Sequence, residues 1–262
     1  MDLSLEGKRA FVCGSSRGIG KAAAVELASL GATVTLVARD EARLAAVREE
    51  LPRPFEQFHD FLAVDFGSPD RLREAVSASI TRNGVYEILV NNTGGPPPGP
   101  ITQAPPEAFL DAFTKHLVCN QILVQAFLPG MKAAGYGRIV NIISTSVKEP
   151  IPGLGVSNTI RGAVASWAKT LAGEVAPFGI TVNNVLPGFT ETERLFALIA
   201  ARAQQRGCDP ETIAAEMKSQ VPAGRFADPS EVAHAIAFLA SPAAAYLTGI
   251  NLPVDGGRLG CL

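Results

Sequence analysis

Residues 9–20 of the chain have the sequence RAFVCGSSRGIG. The apolar run at 9–13 predicts a short buried strand, and the Ala- and Leu-rich residues from 19 onward predict a helix. Glycines fill the turn between them, where the missing Cβ atoms let a backbone approach a bound group closely. Because a helix N-terminus offers free amides and a positive dipole end, this pattern is typical of a pyrophosphate site. The predicted contact residues are Gly14, Ser15, Ser16, Arg17, Gly18, Ile19 and Gly20.

The same alternation of short apolar runs and longer helical segments continues to the end of the chain. Strands are predicted at residues 9–13, 33–38, 61–64, 87–91, 137–143, 180–186 and 250–254. Helices are predicted at residues 19–30, 40–50, 69–81, 106–133, 158–176 and 229–240, with a break in the fourth near Asp111. Strands that alternate with helices imply right-handed βαβ units and a parallel sheet. We therefore expect an α/β fold: one doubly wound Rossmann-type sheet of about seven strands, with helices on both faces.

The organisation of the chain predicts a single domain over residues 1–262, since no repeat and no linker interrupts the pattern. Two stretches differ from it. Residues 94–100 (GGPPPGP) form a stiff loop that ends a strand. Residues 189–225 are a long insertion, predicted to contain a helix at 193–206. Long connections in compact domains are often functional, so this insertion is a candidate substrate lid.

Composition excludes several classes of protein. The formal net charge of -2 leaves no basic excess for binding a nucleic acid. No run reaches the roughly 18 apolar residues of a membrane span. The four cysteines are far apart and form no CxxC pair, so we expect neither a metal site nor a disulfide framework. The first residues lack a basic segment followed by an apolar run, so we expect a cytoplasmic protein.

The end of the second predicted strand bears on which dinucleotide binds. An NAD site usually places a carboxylate here, whereas an arginine favours the 2′-phosphate of NADP. Ala38 is not acidic, Arg39 follows it, and Arg17 offers a second cation. NADP(H) is therefore preferred. The alternatives are that Arg39 is a solvated surface residue and that Asp40 caps a helix, and Asp40 keeps NAD(H) possible.

These features, taken in order, resemble the short-chain dehydrogenase/reductase family over nearly the whole chain. The glycine turn matches the family's TGxxxGxG pattern, with Cys13 in the threonine position. Further matching segments are Asp65 in AVDF, residues 91–94 (NNTG), residues 137–144 (GRIVNIIS), Pro187 and Gly188 with Thr192, residues 247–249 (LTG) and residues 254–257 (VDGG). The pattern is most similar to bacterial 3-oxoacyl-carrier-protein reductases.

The resemblance implies roles for residues beyond the glycine turn. It implies adenine contacts for Asp65 with Phe66, and a nicotinamide contact for the segment from Pro187 to Thr192 that includes Gly188. It adds Asn92 and Gly94 to the cofactor site. It also implies a small carbonyl or alcohol substrate, and a homodimer or homotetramer that pairs through the two long central helices.

The chain departs from the family at the catalytic positions. The family uses an Asn, a Ser, and the Tyr and Lys of a YxxxK motif. Here only the serine remains, as Ser144, while Ser157 occupies the Tyr position, Arg161 the Lys position and His116 the Asn position. The family's Tyr donates a proton to the developing alkoxide, but a serine is a far weaker acid and an arginine stays protonated. Loss of a general acid typically costs about 10²–10⁴ in rate.

Several side chains are candidates for the missing role. His116 is expected to titrate near neutrality, or else to be a satisfied histidine on a helix face. Ser144 and Ser157 together form a possible oxyanion site, unless Ser157 is a helix N-cap. Arg161 is a clamp for a substrate carboxylate or phosphate, or else an ion-paired or solvated residue. Lys148 lies at the site mouth, or else in an exposed loop.

Two functions therefore remain open. The first is an NADP(H)-dependent oxidoreductase that reduces a 3-oxoacyl compound or another ketone, or oxidises the matching alcohol, with a non-standard proton route. The second is a dinucleotide-binding sensor or subunit without redox turnover. A lyase-like use of the fold is disfavoured, because the halohydrin dehalogenases that resemble this family keep the Tyr and lose the glycine turn, whereas this chain does the opposite.

Overall fold

A computed structural model of the chain describes residues 1–261. Its strands are β1 (Arg9–Cys13), β2 (Thr33–Ala38), β3 (Asp60–Ala63), β4 (Ile88–Asn91), β5 (Gly137–Ile142), β6 (Ile180–Pro187) and β7 (Asn251–Val254). Within the described residues these strands form one parallel seven-stranded sheet in the order β3-β2-β1-β4-β5-β6-β7. The predicted fold class is confirmed.

Helices cover both faces of this sheet. They are α1 (Gly18–Ser29), α2 (Glu41–Glu50), α3 (Pro69–Asn83), α4 (Pro106–Phe113), α5 (Cys119–Ala134), α6 (Gly155–Val175), α7 (Glu193–Arg206), α8 (Pro210–Ser219) and α9 (Pro229–Ala240). One core packs α1, α2 and α9 on one face, and a second packs α3, α5 and α6 on the other. In β1, Ala10 and Val12 point into the first core, while Phe11 and Cys13 point into the second.

The sheet changes winding direction between β1 and β4. Strands β2 and β3 lie to one side of β1, and β4 to β7 lie to the other. The loops that leave β1 and β4 therefore separate, and a crevice opens at the carboxyl ends of these strands. The residues that follow β1, β4, β5 and β6 all meet at this edge.

The long helix predicted at residues 106–133 is interrupted further along than expected. The break lies not at Asp111 but in a π-helical segment, Thr114–Val118, between α4 and α5. A π-helical segment inserts a residue into the helical repeat and is often found at functional sites. Here it carries His116.

The insertion at residues 189–225 forms two packed helices, α7 and α8. The predicted helix at 193–206 is confirmed, and α8 follows it. The two helices share a small apolar core that includes Leu195, Ile199 and Met217. Among residues 1–261, no helix is both long and apolar enough to cross a membrane.

Candidate active site

The glycine turn has a conformation that side chains would not fit. Gly14 and Gly18 have positive φ angles of 62° and 56°. A Cβ atom on Gly20 would lie 2.2 Å from the carbonyl oxygen of Gly14, and one on Gly14 would lie 2.5 Å from Nδ2 of Asn92. The turn is therefore packed against the start of α1 and against the loop after β4, with no space for additional atoms between them.

The N-terminus of α1 is open to an anion. Arg17 occupies the N-cap position, and its side chain makes no capping hydrogen bond. Side chains cap α2, α7, α8 and α9 (Asp40, Thr192, Asp209 and Asp228), whereas α3, α4, α5 and α6, like α1, have no side-chain cap. A Cβ atom on Gly94, beyond the turn, would meet no atom within 4 Å. Free helix amides beside an open space fit the pyrophosphate of a dinucleotide.

One hydroxyl of the turn is already used within the protein. Ser15 is fully buried, and its Oγ accepts a hydrogen bond of 2.8 Å from the backbone of Val37 in β2. Ser16 is partly buried. The Ser15 backbone amide also donates a hydrogen bond of 3.2 Å to the Val37 carbonyl, so both the side chain and the amide of Ser15 join the turn to the sheet.

The cations near the end of β2 have different partners. Arg39 is exposed and forms no ion pair with any described residue. Asp40 caps α2 by accepting a hydrogen bond of 3.0 Å from the Arg43 backbone, which is one of the alternatives left open by the sequence. Arg17 is ion-paired with Glu193 at the start of α7, and Arg43 lies 3.6 Å from the same carboxylate. Neither Arg43 nor Glu193 was among the residues predicted for the site.

The remaining predicted cofactor residues lie at the carboxyl edge of the sheet. Asp65 follows β3, is exposed, and accepts a hydrogen bond of 2.8 Å from the Gly67 backbone, while Phe66 beside it is buried. Gly188 follows β6 after Pro187, and its backbone donates to Val254 of β7 over 2.9 Å. Thr192 caps α7, and its methyl carbon lies 3.2 Å from where a Cβ would stand on Gly18.

Arg161 is a buried cation in the floor of the site. It lies on α6 with 8% of its surface exposed, and its Nη1 donates a hydrogen bond of 2.9 Å to the carbonyl of Ile142. Burial and the charge of Arg194 lower its pKa to about 10, so it stays protonated at neutral pH. No ion pair joins it to any of residues 1–261. The alternatives of an ion-paired or solvated Arg161 are therefore wrong.

His116 lies beside it and is neutral. It is 3% exposed and hydrogen-bonds to the backbone of Gly94. Burial, with the nearby charge of Arg161, lowers its pKa to about 2. The expectation that His116 titrates near neutrality is wrong, because a second proton on a buried imidazole next to a guanidinium is strongly disfavoured.

The serines and Lys148 have distinct positions. Ser144 follows β5, and its Oγ accepts a hydrogen bond of 3.1 Å from the Ser146 backbone. Ser157 is buried in the first turn of α6. The N-cap of this helix is Leu154, because α6 begins three residues before the predicted start, so the N-cap alternative for Ser157 is wrong. Lys148 is exposed after a short 3-10 turn.

A small polar pocket joins these elements. His116 and Arg161 line it together with the side chains of Asn91, Asn92 and Asn120. Within it, Oδ1 of Asn91 is buried and has no hydrogen-bond partner. The carboxyl edge therefore combines a buried cation, neutral amides and an unsatisfied acceptor. Asn120, one helical turn beyond His116, was not among the residues predicted for the site.

Side-chain amides also connect the strands beneath the pocket. Asn91, Asn141, Asn184 and Asn251 are register partners on β4, β5, β6 and β7. Each of the first three donates from Nδ2 to Oδ1 of the next over 2.8 Å. We call this row the asparagine ladder. The recurrence of Asn within four predicted strands was the available signal, and it was not used to predict the site.

Fold and site together define a Rossmann-type α/β protein with its site at the switch point of the sheet. A family model described as enoyl-(acyl carrier protein) reductase matches residues 14–258. The chain is 38% identical to the 3-oxoacyl-[acyl-carrier-protein] reductase FabG of Vibrio cholerae, covering 97% of this chain and 98% of that protein. It therefore belongs to the short-chain dehydrogenase/reductase family.

Solved structures are similar over the same length. The L-sorbose reductase of Gluconobacter frateurii, in complex with NADPH and L-sorbose, superposes with a TM-score of 0.94 at 32% identity and full coverage of both chains. YwfH, an NADPH-dependent reductase involved in bacilysin biosynthesis, superposes with a TM-score of 0.92 at 28% identity, covering 97% of this chain and 99% of that one.

Proposed function

We propose that the chain is an NADP(H)-dependent oxidoreductase that reduces a carbonyl compound or oxidises the matching alcohol, with a proton route that needs no tyrosine. The observation that carries this proposal is the glycine turn, which leaves no space for a Cβ atom yet exposes uncapped amides of α1. The turn opens on the same edge of the sheet as Arg161 and His116. NADPH-dependent relatives with the same fold support the assignment.

The preference for NADP(H) over NAD(H) follows from the end of β2. Arg39 is exposed there without an ion-pair partner among the described residues, while Asp40 is engaged in capping α2. An uncommitted guanidinium suits a 2′-phosphate, and a capping carboxylate is less available to a ribose hydroxyl. NAD(H) remains the alternative form.

The residues proposed to hold the cofactor follow the crevice. The pyrophosphate would lie on the backbone of Gly14, Ser15, Ser16, Arg17, Gly18, Ile19 and Gly20, the adenine near Asp65 and Phe66, and the nicotinamide end near Asn92, Gly94, Pro187, Gly188 and Thr192. A bound nicotinamide supplies or accepts the hydride.

The chain's own residues are proposed to handle the substrate oxygen. Ser144 and Ser157 would donate hydrogen bonds to the carbonyl oxygen, and Arg161 would stabilise the negative charge that develops on it. Ser157 and Arg161 stand where the family has its Tyr and Lys. Because neither is a good acid, the proton is proposed to come from water at the mouth of the site. The neutral His116 would hold the Gly94 loop instead of acting as the acid.

A second function is favoured by one feature of the pocket. Among the described residues that line it, none ionises near neutral pH, since His116 is neutral and Arg161 stays charged. Without a proton donor, the chain would bind a dinucleotide as a sensor or subunit and would not turn it over.

Two further features belong to this proposal. Residues 189–225 are proposed to form a substrate lid, because the methyl carbon of Thr192 would lie 3.2 Å from a Cβ atom on Gly18 and Glu193 pairs with Arg17 of the glycine turn. The chain is also proposed to act as a single domain within a cytoplasmic homodimer or homotetramer, paired through the two long central helical segments, α4 with α5 and α6.

Cofactor titration followed by a carbonyl screen tests the function. Calorimetry should show saturable NADPH binding, tighter than NADH binding, and NADPH should be oxidised by at least one ketone or 3-oxoacyl compound. Arg39→Gln should weaken NADPH binding about tenfold and leave NADH binding unchanged. The control Arg53→Gln, at another exposed arginine, should change neither. Binding without oxidation on a broad panel would select the second function, and no binding would reject both.

A further inference from the structure

The pocket contains a buried positive charge that the protein does not neutralise. Arg161 has five N–H donors, and the hydrogen bond to Ile142 uses one of them. No carboxylate pairs with it anywhere in residues 1–261. A buried charge is normally paired, because removing it from water is costly. The remaining donors of Arg161 therefore suit an anion from outside the chain.

A second guanidinium, that of Arg194, lies near the guanidinium of Arg161. Arg194 lies in the first turn of α7 and is exposed at the mouth of the site. A Cβ atom on Gly95 would lie 2.6 Å from its Nη1, and its Nη2 donates a long hydrogen bond of 3.4 Å to the Pro96 carbonyl. Arg194 therefore lies against the loop that follows β4, beside Gly95 and Pro96 and next in sequence to Gly94, whose backbone is hydrogen-bonded to His116.

The acidic residues nearby are engaged elsewhere. Glu193, the neighbour of Arg194, is paired with Arg17 and lies 3.6 Å from Arg43. Lys115, which adds to the positive charge near His116, is paired with Asp111. Arg194 itself has no ion pair within the described part of the chain. Its charge reaches into the pocket, since it lowers the pKa of both Arg161 and His116.

We propose that the substrate carries an oxyanion, a carboxylate or a phosphate, bound between Arg161 and Arg194. This rests on the proposed oxidoreductase function, whose substrate it narrows to an anionic carbonyl compound or the matching alcohol. A guanidinium presents a planar pair of N–H donors that matches either group. Arg161 lies at the end of the site where Ser144 and Ser157 would hold the carbonyl, and Arg194 arrives with the lid. Arg194, a residue of the proposed lid, thus selects a substrate that carries an oxyanion.

Matched pairs of substrates test the inference. The pairs are pyruvate with methyl pyruvate, acetoacetate with methyl acetoacetate, and dihydroxyacetone phosphate with dihydroxyacetone. Each is assayed with NADPH at low salt. The charged member of at least one pair should have a kcat/KM about 10- to 100-fold higher than the uncharged member. If a carboxylate pair shows this difference, the oxyanion is a carboxylate, and if the phosphate pair shows it, the oxyanion is a phosphate. Equal kcat/KM values for the two members in all three pairs would overturn the inference.

Arg194→Met separates substrate recognition from cofactor binding. This variant should reduce the preference for the charged member about 10- to 100-fold, mainly through KM, and leave the Kd for NADPH unchanged. The control is Arg202→Met, which removes the same charge about two turns further along α7 and should alter neither quantity. An unchanged preference in Arg194→Met would overturn the inference. A loss of NADPH affinity in Arg194→Met as large as the loss of preference would also overturn the inference, because Arg194 would then hold the cofactor.

A binding measurement distinguishes the proposed oxidoreductase function from the proposed anion site. Succinate and inorganic phosphate are titrated by calorimetry into the protein saturated with NADP⁺. At least one should bind to the natural protein and to Arg202→Met, and bind about tenfold more weakly to Arg194→Met. Anion binding without turnover of any carbonyl would reject the oxidoreductase and retain the anion site. Turnover of uncharged carbonyls without anion binding would retain the oxidoreductase and reject the anion site.

Discussion

His116 and Arg161 are adjacent buried residues whose charge states follow from each other. Both face one polar pocket, and no carboxylate of the described chain pairs with either. Arg161 stays protonated, and its charge helps burial to keep His116 neutral. A histidine in this position therefore contributes hydrogen bonds at neutral pH, and it affects the charge of the protein only at acidic pH.

The stability of the protein should depend on pH through His116. The pKa of this imidazole is about 6.5 in an unfolded chain and about 2 in the folded one. Unfolding therefore takes up a proton below pH 6.5, and stability falls as the pH drops through this window by up to about 1.4 kcal/mol per pH unit. Urea unfolding between pH 7 and pH 4 should show a reduced slope in His116→Asn.

The matched control is His234→Asn, at an exposed histidine on α9, which should leave the slope unchanged. His59 is also buried with a lowered pKa, so it supplies a background slope common to all three proteins. Identical slopes in the natural protein and in His116→Asn would contradict the burial argument.

Gly20 should tolerate no side chain. In Gly20→Ala the new Cβ would overlap the Gly14 carbonyl oxygen at 2.2 Å, which is too close for any contact. We expect a loss of about 1–3 kcal/mol in the free energy of unfolding and a loss of NADPH binding. Gly162→Ala is the control, since a Cβ there would meet nothing within 4 Å inside helix α6. It should stabilise the chain by up to about 1 kcal/mol, and equal effects of the two changes would refute the packing argument.

At the scale of elements, the asparagine ladder connects four strands that meet under the pocket. Asn141 and Asn184 each donate and accept within the row, so substitution of either one leaves two neighbours unsatisfied, whereas Asn91 only donates and Asn251 only accepts. Buried polar groups without partners are costly, and the ladder therefore makes the carboxyl edge rigid where the substrate would be held.

Asn141→Ala should destabilise the protein more than Asn251→Ala. Asn141 is buried within the ladder and forms two of its hydrogen bonds, whereas Asn251 ends the row and forms one. We expect a cost of about 2–5 kcal/mol for Asn141→Ala and roughly half of that for Asn251→Ala. Urea unfolding monitored by circular dichroism measures both. Equal costs would mean that the ladder does not act as a connected row.

At the scale of the whole molecule, the exposed apolar residues on the central helices suggest self-association. Leu110 and Phe113 on α4 are 69% and 42% exposed. Trp167, the chain's single tryptophan, lies on α6 and donates a hydrogen bond of 2.8 Å to Gln121 of α5. Its fluorescence therefore reports on the contact between α5 and α6, two of the helices through which we propose that the chain pairs.

Sedimentation equilibrium should give two or four times the chain mass of 27.4 kDa. Dilution below the dissociation constant should shift the Trp167 emission, because separation of the subunits would change the surroundings of α5 and α6. Leu110→Glu should shift the equilibrium toward the monomer, since it places a charge in an apolar contact. A monomer at all concentrations would contradict the proposed oligomer.

Much of the architecture follows from local patterns in the chain. Strands β1 and β2 and helices α7 and α9 have the predicted bounds, because their apolar periodicity and their flanking Gly, Thr and Asp residues are encoded within a few neighbours. The interruption at Thr114–Val118 and the early start of α6 differ from prediction, since packing between helices determines both.

The amino-acid order was sufficient to predict the parallel sheet and the glycine turn, because each is carried by residue types at short spacings. It was not sufficient for the neutral state of His116, the unpaired charge of Arg161 or the placement of Arg194 over Gly95. Those properties depend on burial and on charges contributed by segments far apart in the chain, and such segments become neighbours only when α6, α7 and the β4 loop pack together.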